Sequence, residues 1–298
     1  MADWTADRIP DQSGRTFVVT GANSGLGYET ARQLAGHGGR VIMTARNETK
    51  GREAVAKLRA DQPDADVELR TLDLADLDSV RAFAADVAEV DVLVNNAGIM
   101  MPPRSLTKQG FESQFGTNHL GHFALTGLLL PRVRARVVTV SSGLHRGGSI
   151  HFDDLTGERK YSPRVFYSQS KFANVLFALE LDRRLRAEGS AVLSVLAHPG
   201  YSATNLQSTG PTGLLSLAMK VSNRLIAQDV SMGALNQLYA ATDPAAKSGQ
   251  FIGPDGRGEM RGYPHVVQPD PAATSAETAR RLWDVSEKLT GVRYAFDA

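Results

Sequence analysis

Cysteine is absent from this chain. Its absence excludes disulfides, thiolate catalysis and cysteine-ligated metal. A charge surplus is missing too: Lys and Arg number 33 against 32 Asp and Glu, for a net charge of +1. Nothing in that balance draws the protein to nucleic acid or to an anionic membrane. Long hydrophobic runs are lacking; Leu128-Leu129-Leu130 is typical, far short of a membrane span. The first residues, Met-Ala-Asp-Trp-Thr-Ala-Asp, have neither the basic nor the apolar region of a signal peptide. A cytoplasmic protein is the expectation. The 7 histidines show no metal-ligand spacing such as His-Glu-x-x-His, so no metal site is expected. No internal repeat, low-complexity tract or linker interrupts the 298 residues.

What the chain has is alternation of strands and helices. Residues 1–14 are polar, carry Pro10 and Gly14, and read as a surface arm. Thr16 to Thr20 is a short apolar strand of the kind buried in a parallel sheet. The loop Gly21-Ala22-Asn23-Ser24-Gly25-Leu26-Gly27 follows at once and opens a helix ending near Gly36. Strand, glycine loop and helix in that order are the context expected of a dinucleotide site, where a lone glycine-rich turn would carry no ligand. Gly21 allows the tight turn, Gly25 lets the backbone approach a pyrophosphate, and Gly27 lets helix and strand pack closely. The helix N-terminus, with Asn23, Ser24 and Leu26, faces the phosphates.

Arg40 to Arg46 is the second strand. An NAD site usually places an acidic residue about 20 residues beyond the glycines, on the ribose 2′-hydroxyl. Here Ala45 and Arg46 stand instead. No carboxylate repels a 2′-phosphate and a guanidinium can clamp one, so NADP is expected. A helix is predicted from Glu48 to Ala60 and a strand over Val67 to Leu72, ending at Asp73-Leu74. The Asp73 carboxylate can accept from an adenine amino group or cap the helix predicted over Leu77 to Val87. Asp91 to Val94 is a fourth strand, running into Asn95-Asn96-Ala97-Gly98 at the crevice where a cofactor would lie.

Residues 107–130 read as helix, with Asn118 breaking an apolar face. A buried amide is costly unless its polar atoms find partners. The basic run Arg132 to Arg136 reads as a solvated turn before the strand Val137 to Val140, which ends at Ser141-Ser142. A helix then carries Tyr167 and Lys171, four residues apart and so on one face. An ammonium fixed beside a phenol favours the phenolate, which is expected to lower the Tyr167 pKa toward the working range of an acid–base catalyst. Val192 to Leu196 is a further strand, ending at His198-Pro199-Gly200. Residues 201–227 carry an apolar stripe, Leu214, Leu215, Ala218, Val221, Leu225 and Ile226, that suits a substrate lid. Helices over Val230 to Ala241 and Ala273 to Leu289 and a strand over Gln250 to Gly253 complete the chain. The fold class is α/β: one doubly wound parallel-sheet (Rossmann) domain of about seven strands with flanking helices.

At this point the sequence resembles the short-chain dehydrogenase/reductase family. Thr20 to Gly27, Asn95 to Gly98, Asn118, Ser142, Tyr167 with Lys171, and Pro199-Gly200 match its motifs in order, over about residues 14–256. Gly116 to Phe123 and Leu282 to Leu289 are similar to the retinol-dehydrogenase-like branch. The connection from Leu130 to Val137 is short for that family. The resemblance implies hydride transfer between a nicotinamide and a carbonyl or alcohol carbon, with Tyr167 as acid–base and Lys171 on the nicotinamide ribose. Either Ser141 or Ser142 could hold the carbonyl oxygen, and the family pattern favours Ser142. By the same resemblance Asn118 holds a water that relays protons to Lys171. Asn95, Ala97, Gly98, Pro199 and Gly200 line the cofactor, Thr204 meets its carboxamide, and copies of the chain pair as a homodimer or homotetramer. A non-catalytic NADP-binding regulator would have no reason to keep Tyr167, Lys171 and Ser142 together. A protochlorophyllide-reductase-like enzyme fits poorly with an absence of cysteine. The expected partner is a small apolar carbonyl or alcohol. Leu144, Ile150, Phe152 and Leu155 are expected at the mouth of its site.

Overall fold

A computed structural model of the chain describes residues 3–201 and 228–296. Thr204 and the apolar stripe from Leu214 to Ile226, the predicted lid, lie outside the described residues. Eight strands form one sheet in the order β3-β2-β1-β4-β5-β6-β7-β8. They are β1 (Thr16–Val19), β2 (Arg40–Ala45), β3 (Val67–Thr71), β4 (Val90–Asn95), β5 (Val133–Val140), β6 (Leu193–Ala197), β7 (Phe251–Pro254) and β8 (Pro264–Val267). All pairs are parallel except β7 with β8. The sequence predicts about seven strands. The eighth is a short antiparallel edge that opens on a proline and exposes His265 and Val266, so it lacks the apolar run that marks the others.

Helices cover both faces. α1 (Gly25–Gly36) and α2 (Glu48–Asp61) lie on one side. On the other lie α3 (Leu77–Asp86) and α4, which is built of Ser113–Phe115, a π-helical Gly116–Leu120 and Gly121–Leu129. α5 (Pro163–Ala187) and α7 (Ala276–Thr290) join that second side, and α6 (Val230–Thr242) the first. Successive residues of β1 point to opposite faces, and both faces are covered. Phe17 and Val19 pack into one layer and Val18 into the other, all fully buried. That double burial is why β1 reads as a continuous apolar run. β1 is flanked by β2 on one side and β4 on the other, so the order reverses there and leaves a crevice at the carboxyl strand ends.

Three local expectations change. The helix predicted from 107 starts at Ser113, because Gly110 sits at φ +83 in a turn and the Glu112 carboxylate accepts from Gln114 N and Phe115 N as the cap. The basic run is not a solvated turn. The link from α4 is only the 3₁₀ turn Leu130–Arg132, and β5 begins at Val133. Arg136 is buried within β5 and donates to Ala240 O (2.9 Å) and Asp243 O (2.8 Å), the carbonyls that end α6. A cation at a helix C-terminus meets both the orphan carbonyls and the dipole. The arm, too, does not stand free: Trp4 and Ile9 join the core, and Trp4 Nε1 donates to Asp243 Oδ2 at 2.7 Å. α7 lies on α5 and α4, with Trp283 packed beside Phe123 and Phe177. Among the described residues no helix is long and apolar enough to cross a membrane.

Candidate active site

A cleft of about 340 Å³ opens at the carboxyl ends of β4, β5 and β6. Tyr167 and Lys171, one turn apart on α5, both line it, and both are nearly fully buried. Lys171 Nζ donates to Val140 O at 3.2 Å and lies 6.0 Å from the centre of the Tyr167 ring. Burial disfavours each charged form. It pushes the Tyr167 phenol up to about 12, and a hydrogen bond with Ser142 only partly opposes it. It pushes the Lys171 ammonium down to about 8. The expected lowering of the tyrosine by its lysine is therefore not found. Spacing brings the two groups together, and desolvation decides their titration.

The two serines part company at the end of β5. Ser141 is buried and donates from Oγ to Lys171 O at 2.8 Å, so its hydroxyl serves α5. Ser142 lines the cleft beside Tyr167, and its Oγ accepts from Leu144 N at 3.2 Å. Asn118 stands in the π turn of α4. Its amide donates to Ile99 O and Ser170 Oγ, both at 2.9 Å, and accepts from Ile99 N at 2.8 Å. Both of its N–H groups are thus used in pinning the loop after β4. Gly98 in that loop lies so close that an added Cβ would sit 3.2 Å from Asn118 Oδ1 and 3.6 Å from Lys171 Nζ.

The crevice beside this cleft suits a dinucleotide. Gly21 and Gly25 hold left-handed φ of +66 and +56, and a Cβ at Gly27 would strike Gly21 O and Asn96 Nδ2. Ser24 occupies the N-cap of α1 without a side-chain cap bond, which leaves the first amides of α1 for an anion. Asn23 lies in the same turn, and Leu26 lines the cleft. Arg46 follows β2, is exposed, and has no hydrogen-bond or ion-pair partner among the described residues. Asp73 closes a local turn by accepting from Ala75 N at 2.9 Å, and the cap of α3 is Asp76 instead. Leu74 is buried, with its carbonyl against Gly121. Asn95 does not turn its side chain to the crevice: Nδ2 donates to Thr126 Oγ1 in α4. Asn96 faces the cleft in its place. Ala97 N donates to Thr20 Oγ1 at 2.9 Å. Gly200 is left-handed at φ +66, and it lines the cleft with Pro199.

Some site residues escape sequence reasoning. His122 is buried, and desolvation pushes it down to about 4, so it is neutral. Its Nδ1 faces Asn118 O (3.0 Å), which can only accept, and so Nε2 accepts from Thr20 Oγ1 (2.9 Å). Thr20 in turn accepts from Asn96 N and Ala97 N. The four-residue spacing of Asn118 and His122 was the available signal. Met100, Met101, Leu144 and Met260 give the cleft apolar walls. Ile150, Phe152 and Leu155, expected at the mouth, pack instead against the core around Phe172. At the rim, Arg146 and His198 both engage Glu259, a residue some 60 positions beyond His198 with no sequence signal. The two partners hold its carboxyl down at about 2, the His198 hydrogen bond most and Arg146 next, against the opposing pull of burial.

Residues 15–212 match the model of the short chain dehydrogenase family. The chain belongs to that family. It is 40% identical to human retinol dehydrogenase 12 over 291 residues, covering 94% of this chain and 88% of that one. It is 39% identical to mouse polyprenol dehydrogenase over 303 residues, with 97% and 88% covered. This short-chain dehydrogenase is therefore an oxidoreductase of the retinol-dehydrogenase-like branch. A crystal structure of an uncharacterised protein from Mycobacterium paratuberculosis is 47% identical and superposes with a TM-score of 0.85, covering 99% of this chain and 100% of that one. More distant neighbours of the same fold, at 22% and 21% identity and TM-scores of 0.61 and 0.63, were solved with NAD and with NADP. They cover 77% and 81% of this chain, and 86% and 96% of their own.

Proposed function

We propose that the protein moves hydride between NADP(H) and the carbonyl or alcohol carbon of an apolar, uncharged molecule. The observation that carries this reading is the convergence of Tyr167, Ser142 and Lys171 in one methionine-walled cleft. A bound nicotinamide dinucleotide supplies the hydride chemistry. Ser142 orients the substrate oxygen, and Tyr167 gives that oxygen its proton in reduction or takes it in oxidation. Lys171 holds a positive charge beside the developing phenolate. Asn118 positions the loop 95–99 against both. Relatives named for retinol and polyprenol support a long apolar alcohol or its carbonyl.

The cofactor preference rests on Arg46. A charge-assisted hydrogen bond to a 2′-phosphate contributes about 1.5–3 kcal/mol. NADPH is expected to be favoured over NADH by roughly ten- to a hundredfold. Arg46→Ala should erase most of that, chiefly by weakening NADPH, as measured by titrating either cofactor. Equal use of NADH by the unmutated protein overturns the assignment.

The substrate reading is tested with a series of unbranched aldehydes, scored by NADPH consumption. Each buried methylene adds about 0.8 kcal/mol, so kcat/KM should climb with chain length until the cleft is filled. A flat or falling series, or preference for a phosphorylated carbonyl, counts against an apolar site.

A further inference from the structure

Three elements meet at the rim of the cleft around one carboxylate. Arg146 follows the 3₁₀ turn Gly143–His145 that leaves β5. His198 stands just past β6, fully buried, with its ring edge-on to Phe251 at 5.1 Å. Glu259 lies in the hairpin joining β7 to β8, at a left-handed φ of +55 between Gly258 (+66) and Gly262 (+127). A non-glycine residue there is strained and persists only when its surroundings fix it. Arg146 Nη2 donates to Glu259 Oε1 at 2.6 Å and to Gln268 O at 2.9 Å. His198 Nε2 meets Glu259 Oε2 at 2.9 Å. Gly200 N donates to His198 Nδ1 at 3.3 Å, so that nitrogen holds the lone pair and the ring proton sits on Nε2. The imidazole then donates to the carboxylate through Nε2. Glu259 carries one negative charge and Arg146 one positive, and they cancel at the mouth.

We propose that Glu259 sets the charge preference of the cleft: by occupying Arg146 it keeps that guanidinium from binding a carboxylate on the substrate, and so reserves the site for uncharged carbonyls and alcohols. The inference rests on the reading of the cleft as a carbonyl site. Arg146, Glu259, Leu144 and Met260 all line the cleft. The other cation lining it among the described residues, Lys171, is buried beside Tyr167. An acidic substrate reaching Arg146 must displace Glu259 or lie next to it, and like charges side by side are a discriminating element as real as any attractive contact. The strained backbone at Glu259 is held in place by the same two partners, Arg146 and His198.

The test uses two compounds of one length, nonanal and its terminal carboxylate 9-oxononanoate. The quantity read is the ratio of their kcat/KM values, acid over neutral, in which general damage to the enzyme cancels. Glu259→Gln keeps the shape and a hydrogen-bonding side chain but removes the charge. The ratio should rise about three- to tenfold, since the pair is partly exposed, and the gain should shrink as salt is added. Arg146→Met in the Glu259→Gln background should return the ratio to the unmutated value or below. An unchanged ratio in Glu259→Gln, or a gain that survives Arg146→Met, overturns the proposal. If the unmutated protein turns over neither compound, the carbonyl reading itself fails. The charge assignment is then decided by NMR-measured binding of the same two compounds, where Glu259→Gln must tighten the acid relative to the aldehyde.

Discussion

Tyr167→Phe is expected to lower turnover by about 10²–10⁴-fold while leaving cofactor affinity close to normal. The substitution removes one oxygen from a ring whose position α5 fixes through neighbours that do not change. Burial holds the phenol up at about 12, so in the reductive direction the acid is protonated across the whole neutral range. What the site must then supply is a place for the phenolate once the proton has gone, and the Ser142 hydrogen bond and the Lys171 ammonium both lie there. Stopped-flow NADPH consumption with a saturating aldehyde measures the loss, and fluorescence titration measures the cofactor. Near-normal turnover in Tyr167→Phe would remove this residue from the mechanism.

Lys171→Met is expected to lower turnover by about a hundredfold or more and, at pH 7, to make the fold more stable. The ammonium is buried and held down at about 8 against an ordinary 10.5. A lysine whose folded value lies below its unfolded one destabilises the native state wherever the unfolded chain is charged. The cost is complete below about pH 8, shrinks as pH rises toward 10.5, and vanishes above it. Methionine fills similar space with no charge, and Asn174 Nδ2 still donates to Val140 O at 3.2 Å. The gain at pH 7 should therefore reach about 3 kcal/mol at most and fade at pH 10.5. Urea unfolding of both proteins at the two pH values is the measurement. A variant less stable than its parent at pH 7 would mean that the lysine holds the site together rather than straining it.

Local pattern carried much of this molecule, and distance limited the rest. The glycine loop between β1 and α1 is legible because its chemistry is contained in seven consecutive residues. Tyr167 and Lys171 are legible because helix geometry alone puts them on one face. The same spacing says nothing of how deeply they are buried, and burial is what moved both their pKa values. Arg136 shows the limit in another way. A guanidinium in a basic run looks solvated until the end of α6, a hundred residues on, supplies carbonyls to meet it. Asn95 and Asn96 are neighbours of identical type, and only their places, one ending β4 and the other just past it, decide that the second lines the cleft. Ser141 and Ser142 divide in the same manner. Glu259 could not be found at all, since neither its own segment nor its spacing points to the residues that hold it.

The anchored arm and the last helix give the molecule an optical property. The chain has 2 tryptophans. Trp4 lies edge-on to Tyr239 at 5.4 Å, in the layer of α1 and α6. Trp283 lies in the opposite layer, with the Arg184 guanidinium 4.4 Å from its ring centre. The sheet stands between them. Each layer therefore contains one tryptophan; both indoles donate to a carboxylate, Asp243 for Trp4 and Glu287 for Trp283, and Trp283 also carries the Arg184 cation over its ring. Removing either leaves a tryptophan emission that belongs to one face of the sheet alone, so the two halves of the double-wound architecture can be watched separately by light.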